Sequence, residues 1–132
     1  MSDSLIELRD ALRAFTRARD WQLAHNPKNL AMALIVEAGE LVEQFQWLTP
    51  EQSAELPEAQ AAAVREEVAD VLIYLIELAD VLNVDLAAAV RDKMAKNALK
   101  YPAGIGSSAM EKTAQEIREK QATGRELVPD KK

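Results

Sequence analysis

The sequence predicts an all-α fold, on three observations. No apolar pattern of period two is sustained along the 132 residues, so no strand is expected. Leu, Ile, Val and Ala recur instead at helical spacing. Residues with capping chemistry stand ahead of these apolar stretches, and helix-stopping residues follow them.

The first helix starts with Ser4 as N-cap, and Glu7 completes a capping box. It carries Leu5, Leu8, Leu12 and Phe15 at helical spacing and is expected to end near Trp21. Asn26-Pro27 is a restart signal, with Asn capping and Pro at the first helical position. The second helix should run to about Trp47 and stop before Thr49-Pro50. Glu51 to Leu56 reads as a connector. The third helix is expected from near Pro57 to about Leu82, with Asn83 at its exit. Asp85 caps a fourth, which carries Leu86, Val90, Met94 and Leu99 and ends at Tyr101-Pro102. These four helices predict a four-helix bundle as one domain over residues 1–102. Residues 103–132 read as a flexible polar tail. It opens on a Gly/Ser linker, and residues 110–122 carry a polar helical pattern with Glu116 and Lys120 at i, i+4.

The second and third helices are apolar around most of their circumference. That suits central helices buried on both sides, or helices at a subunit interface. Nearly half the residues, 48%, are apolar, enough for a sizeable core. The net charge of −6, with no basic stripe, argues against a nucleic-acid surface. The absence of cysteine excludes disulfides and thiol chemistry. The apolar run from Val68 to Leu82 contains Asp70, Glu77 and Asp80 and is too short and too charged to span a membrane. Met1 to Glu7 has neither a basic region nor a long apolar one, so no signal peptide is read and a cytoplasmic location is the expectation.

Two acidic pairs lie inside the apolar helices: Glu37 with Glu40, and Glu67 with Asp70. Positions i and i+3 share a helix face, roughly 5–6 Å apart at Cβ. Each pair therefore points two carboxylates the same way, and two facing pairs would gather four. A single such pair is usually a solvated helix face. Two at equal spacing in Leu/Ile/Val-rich stretches suggest a metal site, because acids in an apolar setting need a cation. Oxygen ligands without His or Cys select Mg²⁺ or Mn²⁺ over zinc. Glu66 rivals Glu67, being i, i+4 from Asp70; Glu67 is preferred because it repeats the i, i+3 spacing.

The first stripe continues through Gln44 to Trp47, and the second to Tyr74. Trp47 and Tyr74 could flank a flat ligand beside the metal, or simply pack in the core. Lys93, Asn97 and Lys100 form one cationic-polar face, which could meet phosphates or be the solvated side of its helix. His25, the one histidine, sits in a loop where a surface role is the commoner one. A lone His without Glu-x-x-His disfavours a di-iron carboxylate bundle.

With these residues in place, the chain resembles the MazG-like all-α nucleoside triphosphate pyrophosphohydrolases, most closely their dCTP pyrophosphatase branch. The mark is Glu-x-x-Glu followed by Glu-x-x-Asp, matched by Glu37, Glu40, Glu67 and Asp70. Arg19-Asp20-Trp21, His25-Asn26-Pro27, Phe45-Gln46-Trp47, Tyr74-Leu75, Lys93-Met94, Asn97 and Tyr101-Pro102 accompany it. The resemblance implies that the four acids bind Mg²⁺ and that Trp21, His25, Trp47 and Tyr74 form a base and sugar pocket. It implies that Lys93 and Asn97 make polar contacts to the substrate. It also implies a homo-oligomer, with a tetramer favoured. Leu12 departs from the pattern, because some dCTP-type members carry a substrate-contacting His there. The implied reaction converts a nucleoside triphosphate, dCTP or a related pyrimidine deoxynucleotide, to the monophosphate and pyrophosphate, with Glu37 or Glu40 ordering the water. The alternatives are a broad-specificity or phosphoribosyl-ATP pyrophosphohydrolase, or a non-catalytic helical assembly protein.

Overall fold

The computed structural model describes residues 4–104, 111–112 and 114–119. The described residues are all-α, with no strand. The helices are α1 (Leu5–Arg17), α2 (Pro27–Glu43), α3 (Pro50–Ala54), α4 (Glu58–Val81) and α5 (Leu86–Lys100), with a 3₁₀ turn at Trp21–Leu23. The chain forms two compact units, Met1–Ala89 and Val90–Lys132.

The caps follow from local chemistry. The Ser4 hydroxyl accepts from the Glu7 amide while the Glu7 carboxylate accepts from the Ser4 amide, a complete capping box. Asn26 Oδ1 accepts from the Asn29 amide at 2.9 Å, ahead of Pro27. Asp85 Oδ1 accepts from the Ala88 amide at the start of α5. Asn83, at φ 53°, takes the left-handed turn that carries the chain out of α4.

Three element boundaries differ from expectation. α1 stops at Arg17 rather than near Trp21, because Asp20 adopts a left-handed conformation, φ 55°, and starts the 3₁₀ turn. α2 stops at Glu43 rather than Trp47. Gln44 and Phe45 donate three residues back, to Leu41 and Val42 carbonyls, so residues 44–47 form a tightened turn. The connector after Thr49 is a short helix. Thr49 and Gln52 make a second capping box, and Pro50 sits at the first helical position. The described helices therefore exceed four, and their number and packing alone do not establish a strict four-helix bundle. Of the expected tail, residues 111–112 and 114–119 are helical; the linker from residue 105 and Lys120 lie outside the described residues.

In the first unit α2 packs along α4, and α1 packs on α4 and on the 3₁₀ turn. Gln60 of α4 donates to the Gln44 carbonyl at 2.7 Å, occupying an acceptor freed at the end of α2. Arg13 of α1 grips Asp80 of α4 with two nitrogens, Nε lying 2.7 Å from Oδ2. Among the described residues the buried apolar side chains are Leu30, Ile76 and Ala79. Many other apolar side chains stay exposed, including Met32, Ile35, Val36 and Val42 on α2 and Val68 on α4. Among the described residues no helix is long and apolar enough to cross a membrane.

Candidate metal centre

Packing α2 against α4 sets the two acidic pairs against each other. Glu37, Glu67 and Asp70 each offer a carboxylate oxygen, and these oxygens lie within 4.8 Å of one another. Glu40 stands beside this trio. Its charge bears on both Glu37 and Glu67. Glu67 enters the trio and the neighbouring Glu66 does not.

The electrostatics are those of uncompensated anions. The Glu37 carboxyl is pushed up by burial, then by Glu40, and then by Asp70 and Glu67. Glu67 is pushed up by burial, then by Glu40 and Asp70. Its Oε2 is buried with no hydrogen-bond partner among the described residues. A buried acceptor without a donor is costly unless something supplies positive charge. Hard oxygen ligands, mutual repulsion and an orphaned acceptor together fit a divalent cation, and these residues could coordinate one.

Tyr74 follows Asp70 by one turn of α4. Its hydroxyl is pushed up by burial and then by the charges of Glu37, Glu77 and Asp70, which puts it between the acid centre and Glu77. Trp21 and His25 come together, with ring centroids 6.4 Å apart. The left-handed turn at Asp20 swings Trp21 back to meet Phe15 edge-on at 5.7 Å. Asn29 Nδ2 donates to the Ala24 carbonyl and anchors the loop that carries His25. Trp47 lies past the end of α2 rather than on its helical stripe, and it is 87% exposed, so it does not pack in this chain's core. Lys93 and Asn97 are exposed on α5, in the second unit.

Sequence reasoning missed Glu77. Its Oε2 stands 3.8 Å from His25 Nδ1, in a cavity of about 150 Å³ between α1 and α4. The signal was present, because Glu67, Asp70, Tyr74 and Glu77 continue one stripe at i, i+3, i+7, i+10.

An all-helical chain whose packed helices turn two acidic pairs on each other is an all-α protein built around a centre that could coordinate a divalent metal. The model of the MazG-like family matches residues 32–117, and the chain belongs to that family. It is similar to dCTP pyrophosphatase 1 of Homo sapiens, 41% identical over 133 residues that cover 96% of this chain and 78% of the relative. The rat protein of that name is 44% identical over 102 residues, covering 75% of this chain but 59% of the relative. This chain therefore matches about six-tenths of the rat protein's length. Among solved structures, the crystal structure of a pyrophosphatase from Archaeoglobus fulgidus is 44% identical, with a TM-score of 0.71 over 77% of this chain and 95% of that one.

Proposed function

We propose that this chain hydrolyses a nucleoside triphosphate, dCTP or a related pyrimidine deoxynucleotide, to the monophosphate and pyrophosphate. The observation that carries the reading is the convergence of Glu37, Glu67 and Asp70 within 4.8 Å, with a buried, unpartnered oxygen on Glu67. The names of the similar proteins, dCTP pyrophosphatase and pyrophosphatase, support the substrate class and the bond broken.

Glu37, Glu40, Glu67 and Asp70 would hold Mg²⁺, with Mn²⁺ as its substitute. The bound cation supplies charge that orients the triphosphate and offsets the negative charge developing on it. Glu40 and Glu37 repel each other in the free site, and a bound cation would relieve that repulsion. One of these two carboxylates holds the attacking water and takes its proton. The water oxygen bonds to the α-phosphorus, and the bond from that phosphorus to the bridging oxygen breaks, releasing pyrophosphate. Trp21, His25 and Tyr74 face the sugar and base. Trp47, Lys93 and Asn97 belong to the substrate set on the resemblance of their motifs.

This reading keeps the chain's own longer helices as a four-helix bundle, and the exposed apolar side chains of α2 and α4 support assembly of copies, a tetramer. The reading keeps the catalytic domain at residues 1–102, a tail from 103 and a cytoplasmic place of action. The test is a panel of nucleotides with Mg²⁺ and pyrophosphate detection. Turnover of dCTP with pyrophosphate release is the expected result. No turnover of any nucleotide and no thermal shift with Mg²⁺ would reject the reading in favour of a non-catalytic assembly protein. Preference for phosphoribosyl-ATP would move the chain to that alternative.

A further inference from the structure

The α4 helix is unbroken for 24 residues and carries the acid centre and Glu77 on one face. From Asp70 to Glu77 the helix advances about 10 Å at 1.5 Å per residue. That is about the span from the phosphates of a nucleotide to its base. Tyr74 lies between, feeling the charges of Glu37 and Asp70 on one side and of Glu77 on the other.

At the Glu77 end the chain forms a cavity of about 150 Å³, whose lining includes Leu12, Thr16, Gln22, His25, Glu77 and Asp80. A cavity of about 150 Å³ accepts a single six-membered ring. The Glu77 side chain is 11% exposed. His25 Nδ1, at 3.8 Å, is too far to be its hydrogen-bond donor. Arg9, Arg13 and Arg17 also line the cavity; Arg13 is committed to Asp80 and Arg9 to Asp10, and among the described residues no ion pair joins Arg17 to Glu77. Glu77 is thus a largely buried acceptor facing a ring-sized space, one nucleotide length from the acid centre.

We propose that Glu77 reads the base: its carboxylate accepts from the exocyclic amino group of cytosine, so the site selects an amino pyrimidine over its keto counterpart. This rests on the nucleotide reading of the preceding section and adds the residue that sets specificity. The chemistry is asymmetric. Cytosine offers an amino donor at the position where uracil and thymine offer an acceptor oxygen. A carboxylate facing that oxygen meets repulsion and keeps no partner. Sites built on a buried polar group reject analogues that leave it unpaired. Burial pushes the Glu77 carboxyl up and the nearby His25 charge draws it down, consistent with a desolvated group that gains from a donor brought by the ligand.

The test measures binding of dCMP and dUMP by calorimetry to the full-length wild type, to Glu77→Gln and to Glu77→Ala. Wild type is expected to bind dCMP roughly tenfold or more tighter than dUMP, the size of one good base contact. Both variants should lose that preference, because the amide can pair with either base and alanine with neither. The Gln variant keeps the side-chain volume, so it decides the matter if the Ala variant does not fold. A wild type that binds no dCMP or shows no preference, or a folded Gln variant that keeps it, overturns the proposal. Pyrophosphate release is measured in parallel. Selective binding without turnover would overturn the hydrolase reading and leave this one standing.

Discussion

Glu37→Gln removes one charge from the acid centre while keeping the side chain's size. The lost charge belongs to a trio whose oxygens lie within 4.8 Å of one another. That spacing is inside the screening length of about 8 Å at physiological salt, so salt does not remove the repulsion. The metal-free variant should therefore melt above metal-free wild type. The pH dependence has a definite sign. Burial, Glu40 and the other acids raise the Glu37 carboxyl in the folded state. A raised acid contributes stability that is fully present below its unfolded value, about 4.3, and is lost as pH rises through the folded one. The advantage of the variant should be largest at neutral pH and close as pH falls toward about 4. Metal reverses the order. A cation at ten times its dissociation constant stabilises the fold by about 1.4 kcal/mol, a rise of roughly 5–10 °C for a domain this small. Wild type should gain that shift with Mg²⁺ or Mn²⁺, and the variant should lose most of it together with turnover. The assay is differential scanning fluorimetry across pH, with chelator or with metal. A variant that keeps the full metal shift and full activity, or a metal-free variant that melts below wild type, refutes the assignment.

Hydrolysis in ¹⁸O-water should place the label in the nucleoside monophosphate; release of orthophosphate with a diphosphate would locate the attack elsewhere. Trp47 is 87% exposed, so Trp47→Ala should barely move the melting temperature of the chain. If Trp47 stacks on the base, worth about 1–3 kcal/mol, nucleotide binding falls roughly ten- to a hundredfold while competition by inorganic triphosphate is unchanged. Unchanged nucleotide affinity removes Trp47 from the site. Light scattering should find an oligomer, and Ile35→Glu, on the exposed side of α2, should dissociate it; a stable, active wild-type monomer would refute the assembly reading.

Much of this architecture was legible in the chain itself, because caps are local chemistry. Ser4 with Glu7, Asn26 with Pro27, and Asp85 each act over three or four residues, and each starts a helix where expected. The acid centre was legible for a different reason. Spacing aligns the acids within a pair, and the apolar surroundings of both pairs require the helices to pack. The helix at Pro50–Ala54 was missed because Thr49-Pro50 was read as a stop for the helix before it and not as the start of a capping box. The end of α2 depends on three-residue hydrogen bonds and on Gln60 reaching back from α4, which spacing does not encode. The Arg13–Asp80 pair joins residues 67 positions apart, and nothing in either neighbourhood names the other. Glu77 escaped because its stripe was followed only as far as the aromatic residue.

The slender interior of Leu30, Ile76 and Ala79 has a consequence for handling this protein. With few apolar side chains fully buried among the described residues, the single chain draws little stability from itself. In the proposed assembly, what remains depends on how many copies share the solution, by mass action. Dilution then acts as a denaturant, and a melting temperature has meaning only beside the concentration at which it was taken.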